Sequence, residues 1–392
     1  MTDNKRVLIY CLTLVLMLGV MLCGFAMSGN IEYKSAKSIL KNVDFDNTFA
    51  NYTPKNNSNP QIMPDFTQEG ETLEPQPFEG EQPAPNTVET ASKTPQRNLM
   101  TGEVLIERTS KRVLYGSNEN ALLYPASTTK VLTALCVLNN LPLGRVVEIP
   151  SIAVGVEGSS IYLRAGQKIS VEDLLYGMML RSGNDAAVAL AVETCGNIED
   201  FAKLMNDTAK QCGAKNSNFV NPHGLHDENH YTTALDLALI TAKAYENPDF
   251  VRIVSSKTRK IKVDDVETVI ANKNKMLKNY EGANGVKTGF TKASGRCLVS
   301  GAIRSDMQLV SVVLNCGDMW NESVRLLNFG FDNYEMVALD NALLTGGDNV
   351  IKISVPQNIG EDWKDVKFPM KKDGSERLVV CATKSRLHIF DD

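Results

Sequence analysis

The chain has 392 residues, 43% of them hydrophobic and 22% charged. That is length for two or three domains and apolar material for a sizeable core, which excludes a wholly disordered chain. The net charge is -5 and no basic run is present to track a phosphate backbone, so nucleic acid is excluded as an expected partner.

In chain order, Lys5 and Arg6 come first, followed by an uncharged, mostly apolar run from Val7 to Met27. The run reaches the roughly 20 residues a spanning helix needs and exceeds the roughly 7–15 of a signal-peptide core. The positive-inside rule keeps the basic pair in the cytoplasm and sends the rest of the chain outward. Residues 1–28 are therefore expected to be a cytoplasmic stub and membrane anchor. The alternative is a cleaved signal segment, with small residues at Gly24-Phe25-Ala26 for the cut; either exports the body of the chain.

Residues 29–98 read as a linker. Pro54, Pro60, Pro64, Pro75, Pro77, Pro83 and Pro85 stand among Asn, Gln, Glu and Thr with few apolar neighbours. Such a stretch cannot bury enough apolar surface to offset its ordering entropy.

Order is expected from Thr101, with one domain over 99–340. Val104-Leu105-Ile106 and Val113-Leu114-Tyr115 predict two strands about a turn at Ser110 and Lys111. A helix apolar on most sides is predicted from Ser127, and a Gly/Ser loop from Gly155 to Ser160. Ser170, with Asp173 three residues on, predicts an N-cap for a helix carrying Leu174, Leu175, Met178 and Met179, which breaks at Ser182-Gly183-Asn184. The next helix is predicted from Asp185 to Thr194 and ended by Gly196; further helices cover Phe201, Leu204 and Met205, then Ala234 to Tyr245. Strands over Cys297–Ala302 and Leu309–Leu314 and a helix over Glu322–Leu327 follow. Strands at both ends with helices between predict an α+β domain whose terminal segments share one sheet. Residues 341–392, with alternation in Val350–Val355 and Leu378-Val379-Val380, predict a small C-terminal β region. Eight cysteines show no CxxC pair, and buried free thiols are the favoured reading over one or two disulfides.

Three short motifs carry chemistry: Ser127-Thr128-Thr129-Lys130, Ser182-Gly183-Asn184 and Lys287-Thr288-Gly289. Singly, the first two are weak, because Ser38-Ile39-Leu40-Lys41 and Ser28-Gly29-Asn30 repeat their patterns. Average composition gives roughly one S-x-x-K by chance in such a chain but only about 0.1 K-T-G. Context separates them: Ser127 opens a buried helix, Ser182 breaks one and Lys287 precedes an apolar strand, whereas the decoys have no core around them. Serine at i and lysine at i+3 share a helix face. A hydroxyl is a poor nucleophile until a base takes its proton. A buried lysine becomes that base when desolvation and a second cation depress its pKa, and Lys287 is the expected cation. The bland alternative, a solvated surface lysine, fits poorly with a helix apolar on nearly every face.

Tyr124-Pro125-Ala126-Ser127-Thr128-Thr129-Lys130 resembles the nucleophile motif of the low-molecular-mass penicillin-binding proteins, the serine D-Ala-D-Ala carboxypeptidases. Leu180 to Ala187 resembles their middle motif. Asn221-Pro222-His223-Gly224-Leu225, and Gly285 to Thr291 with Ser294-Gly295-Arg296, resemble further stretches of the family. The likeness runs from about Thr101 to Leu314. It implies a β-lactamase/penicillin-binding-protein-like fold, an antiparallel sheet with helices. It also implies that Ser127 attacks the carbonyl between two D-alanines, that Lys130 accepts its proton, that Ser182 relays a proton to the leaving amine, and that Asn184 holds substrate and lysine. Lys287, Thr288, Gly289 and Phe290 would form the substrate-binding strand, with Lys287 and Thr288 on the terminal carboxylate. The N–H groups of Ser127 and Phe290 would form the oxyanion hole. No cofactor or metal is implied. The implied partners are peptidoglycan peptides ending in D-Ala-D-Ala, β-lactams as covalent inhibitors, and the membrane through the N-terminal segment. The implied location is the outer face of the cytoplasmic membrane, or the cell wall if that segment is cleaved. Two departures stand out: the chain ends Ile389-Phe390-Asp391-Asp392 without the amphipathic helix of many relatives, and the C-terminal β region is short.

Three rivals exist. His223, His226 and His230 with Asp227 resemble a zinc cluster, which would make a metal-dependent wall peptidase. A β-lactamase would need a glutamate followed by Leu-Asn before Lys287, absent here, and Asp where Gly183 stands. A non-catalytic wall-binding or β-lactam-sensing domain would not need every motif side chain.

Overall fold

The computed structural model describes residues 32–33, 100–338, 366–375, 378–383 and 386–391. The apolar N-terminal run, the Pro-rich stretch and Val350–Val355 lie outside these residues. Among the described residues no helix is long and apolar enough to cross a membrane. The chain divides into two units, residues 49–337 with 367–375, and residues 1–48, 338–366 and 376–392.

In chain order, β1 (Glu32–Tyr33) belongs to the smaller unit. The larger unit is built on one five-stranded antiparallel sheet. Its strands are β2 (Gly102–Glu107), β3 (Val113–Ser117), β8 (Ala283–Thr291), β9 (Gly295–Arg304) and β10 (Met307–Leu314), and their order is β3-β2-β10-β9-β8. The first and last of these segments are neighbours, as the α+β reading requires: Ile106 pairs with Val310 and Val104 with Val312. Successive residues of a strand point to opposite faces. Val104, Ile106, Val310 and Val312 accordingly pack against the central helices, while Leu105, Leu309 and Val313 pack under α8 (Met319–Asn333) with Leu326 and Leu327.

The central helices are α1 (Lys130–Asn140), α2 (Val171–Leu180), α3 (Asn184–Cys195), α4 (Ile198–Gln211), α5 (Ala234–Ala244), α6 (Pro248–Ser255) and α7 (Met276–Asn279). Their starts follow the caps. Ser170 Oγ accepts from Asp173 N–H at 3.0 Å, and Gly196, with φ +82°, ends α3. The Asn247-Pro248 start of α6 is an N-cap signal that the sequence reading passed over. It also passed over a four-stranded sheet, β4 (Val146–Glu148), β5 (Lys168–Ser170), β6 (Thr258–Val263) and β7 (Val266–Ala271). The reason is physical: β7 is exposed at five of six positions, so no apolar alternation marks it. Two short strands, β11 (Tyr334–Ala338) and β12 (Lys367–Lys371), pair together. In the smaller unit β13 (Leu378–Thr383) pairs antiparallel with β14 (Arg386–Asp391), which pairs parallel with β1. The described cysteines Cys136, Cys195, Cys212, Cys297 and Cys316 are free thiols, buried except for the half-buried Cys195.

Candidate active site

The helix expected to start at Ser127 starts at Lys130 instead. Ala126–Thr129 form a 3-10 turn, entered through Ala126 in the left-handed region at φ +48°. In such a turn side chains at i and i+3 eclipse, so Ser127 and Lys130 are brought together at the junction with α1. The turn is held on all sides. Thr128 Oγ1 donates to Pro125 O at 2.5 Å, Thr133 Oγ1 donates to Pro222 O at 2.7 Å, and Thr129 Oγ1 lies 2.8 Å from His230 Nε2. Because His230 Nδ1 accepts from Val220 N–H at 3.1 Å, the ring carries its proton on Nε2 and donates it to Thr129. Gly224, at φ +84°, lies so close beneath that a Cβ would stand 1.8 Å from Ala126 O; no other residue fits.

Lys130 is fully buried. Its Nζ lies 2.9 Å from Ser127 Oγ, 2.7 Å from Asn184 Oδ1 and 2.7 Å from His223 O. Burial, then the like charge of Lys287, holds its pKa well below the ordinary lysine value; Lys273 acts in the same direction and Asp185 opposes. Two of its three partners are oxygens that can only accept. Asn184 presents Oδ1 because its Nδ2 donates to Glu157 O at 2.5 Å. A neutral amine must therefore spend its two N–H bonds on Asn184 and His223, and its lone pair faces the Ser127 hydroxyl.

The Ser182–Asn184 turn lies between α2 and α3. Ser182 is buried, with its backbone in the left-handed region at φ +67°, and it is not among the bond partners of Lys130. Asn184 is fixed by the preceding loop, its N–H donating to Ser159 O at 2.7 Å. Asp185, expected only as the start of a helix within the middle-motif stretch, is the anchor of that loop. Its carboxylate accepts from Ser160 Oγ at 2.6 Å and from the N–H groups of Ile161 and Leu163 at 3.1 Å.

The opposite wall is β8, at the edge of the sheet. Lys287 is buried, and its Nζ donates to Thr288 O at 2.9 Å; burial, then Lys273, pushes its pKa down to about 7. Thr288 is half-buried and Phe290 is 61% exposed. Gly289 is the point of closest approach: a Cβ there would stand 3.0 Å from Ser127 N and 3.1 Å from Thr128 N. A strand glycine often marks such a backbone approach. Thr291 and Ser294 close the β8–β9 turn by mutual bonds, Thr291 N–H to Ser294 Oγ at 2.9 Å and Ser294 N–H to Thr291 Oγ1 at 3.0 Å.

The histidines have other work. His230 is committed to Thr129 and Val220, His223 Nδ1 accepts from Leu225 N–H at 3.1 Å, and His226 stands edge-on to Tyr124. Burial holds His223 and His230 down to about 3. Among the described residues no group of three or more His, Cys, Asp or Glu is placed to hold a metal ion. The roles of the His223 carbonyl and the Asp185 carboxylate were not foreseen, although both residues lie in stretches that resemble the family, and Lys273 carried no signal at all.

The sequence profile of the S11 peptidases, described as D-alanyl-D-alanine carboxypeptidase, matches residues 89–317. The chain is similar to D-alanyl-D-alanine carboxypeptidase DacF of Bacillus subtilis, 33% identical over 291 residues, covering 68% of this chain and 75% of that protein. It is 35% identical over 259 residues to DacA of Haemophilus influenzae, covering 62% of this chain and 64% of the relative. Among solved structures, a mutant of the Streptomyces K15 DD-transpeptidase superposes with a TM-score of 0.56 at 29% identity, over 62% of this chain and all of that one. A D-alanyl-D-alanine carboxypeptidase of Mycobacterium tuberculosis does so with 0.57 at 30% identity, over 59% and 90%.

Proposed function

The chain belongs to the D-alanyl-D-alanine carboxypeptidase family, and from that premise we propose that it removes the terminal D-alanine from peptidoglycan pentapeptides through an acyl-enzyme on Ser127. The observation that carries the residue assignment is the bond set of Lys130, which leaves a neutral amine one direction for its lone pair, towards Ser127 Oγ.

The steps follow from it. Lys130 takes the hydroxyl proton as Ser127 Oγ adds to the carbonyl carbon between the two D-alanines. The developing oxyanion is received by the N–H groups of Ser127 and Phe290, donors worth a few kcal/mol each in such sites, about 3. The C–N bond breaks when the departing amine receives a proton relayed from Lys130 through Ser182, and the terminal D-alanine leaves. Water then cleaves the ester with Lys130 again as the base, restoring Ser127. Lys287 and Thr288 bind the free carboxylate of the terminal residue, and Asn184 holds both Lys130 and the substrate backbone. A β-lactam presents its ring carbonyl to the same serine and stays attached.

A fluorescent penicillin should label the protein at Ser127. Label that persists in Ser127→Ala refutes the assignment. For the N-terminal run we favour an uncleaved anchor that keeps the domain at the outer face of the membrane, on the strength of its length and the Lys5-Arg6 flank. Full-length protein should then stay in the membrane fraction; N-terminal sequencing that starts at or beyond Met27 overturns the anchor.

A further inference from the structure

One cation of the cleft belongs to none of the three motifs. Lys273, between β7 and α7, has an exposed side chain. Its N–H donates to Leu180 O at 3.1 Å, at the end of α2 and two residues before Ser182. Its Nζ donates to Ser159 Oγ at 3.3 Å. Ser159 O in turn accepts from Asn184 N–H at 2.7 Å, Glu157 O accepts from Asn184 Nδ2 at 2.5 Å, and Asn184 Oδ1 accepts from Lys130 Nζ at 2.7 Å. A line of contacts thus runs from Lys273 through Ser159 and Asn184 to Lys130.

We propose that Lys273 is a positioning residue of the acyl-transfer site, a third lysine that clamps residues 157–160 onto Asn184 and turns its charge on Lys130 and Lys287. The proposal rests on the reading of Lys130 as the base. The groups that face Lys130 are Lys287 from β8, Asp185 from α3, Lys273 itself, and the neutral rings of His223 and His230. Lys287 faces Lys273. For both buried lysines burial is the larger cause of the depressed pKa, and Lys273 adds a like charge in the same direction. That like charge favours the free amine Lys130 needs. An exposed lysine that merely solvates a rim would do neither job.

The test is the rate constant for acylation by a fluorescent penicillin, followed from about pH 5 to pH 9 across the range that depressed lysines titrate. Wild type should show an acid limb, the titration of the base. Removing a positive neighbour raises the pKa of Lys130, so K273M should move that limb to higher pH. K273R should leave it in place. S159A keeps the charge and cuts the tether, so it should lower the plateau rate several-fold without moving the limb. A K273M limb that coincides with wild type overturns the electrostatic role, and an S159A plateau equal to wild type overturns the clamp. A wild type without any acid limb overturns the lysine base itself, and this inference with it.

Discussion

The two walls of the cleft are built to different plans. On the helical wall, polar groups are bound to other protein groups. Lys130 has three partners, Asn184 is held through Oδ1, Nδ2 and N–H, and the neighbouring Asp185 collects the loop amides. On the strand wall, Lys287 spends its ammonium on one adjacent carbonyl, Thr288 is half-buried and Phe290 is turned to solvent. Under the proposed function the contrast separates two tasks. Atoms that move protons must be placed before substrate arrives, because their geometry sets the barrier. Atoms that recognise a carboxylate keep bonding capacity in reserve until the ligand supplies the other half. The walls meet where Gly289 passes the Ser127 backbone.

The largest effect should come from the helical wall. Lys130→Met keeps the length of the side chain and deletes the base. Acylation by penicillin should fall by about a hundred- to ten-thousandfold, while thermal unfolding still shows one folded species. A Lys130→Met protein that labels at the wild-type rate would dissolve the distinction between the walls.

Next are the two glycines that join wall to wall and wall to floor. Gly224→Ala forces a methyl against Ala126 O and should destabilise the fold by at least about 3 kcal/mol, read as a fall in Tm. Gly289→Ala meets Ser127 N–H at the limit of contact. It should leave Tm nearly unchanged and slow acylation by roughly a hundredfold, the cost of one lost oxyanion donor. Equal Tm losses in the two variants would mean that the junction at Gly289 is structural and not catalytic.

The strand wall should give a smaller change, seen in selectivity. Amidating the terminal carboxylate of a D-Ala-D-Ala peptide removes a charge-assisted pair with Lys287 and Thr288. That is worth about 1.5–3 kcal/mol, or roughly ten- to a hundredfold in kcat/KM. Thr288→Val should narrow the gap between acid and amide. Equal rates on the two substrates would remove the carboxylate-reading role and point to an endopeptidase or transpeptidase.

The smallest effect is on stability, and it again divides the walls. His230 sits under the helical wall with its folded pKa depressed to about 3. Between that value and the unfolded value of about 6.5 the unfolded chain binds a proton that the folded chain refuses, so stability is lost as pH falls through this window. At pH 5 the loss is about 2 kcal/mol for this residue. Calorimetry at pH 7 and pH 5 should show the drop, and His230→Gln, uncharged at both values, should show less of it. An unchanged slope in the variant would place the acid sensitivity elsewhere.

Much of this was legible in the chain itself. The short apolar runs at 104–106 and 309–314 are strands buried on both faces, Val104, Ile106, Val310 and Val312 against the central helices and Leu105, Leu309 and Val313 under α8, while Ser170 caps α2 and Gly196 ends α3. The three motifs pointed to the family because few side-chain combinations activate a serine hydroxyl through lysine, and local spacing already puts Ser127 beside Lys130. Tertiary structure alone decided the rest. No local rule makes a main-chain carbonyl at His223 a ligand of Lys130, brings Lys273 to Ser159, or requires a glycine at 224 because Ala126 lies above it. These contacts join residues 93, 114 and 98 positions apart, and each depends on two surfaces meeting at a distance set by the whole packed core. Lys130 divides between the two: the apolar helix already marked it as buried and Lys287 as its cation, whereas the completeness of that burial and the added charge of Lys273 come from the packed core around it, which no four-residue motif contains.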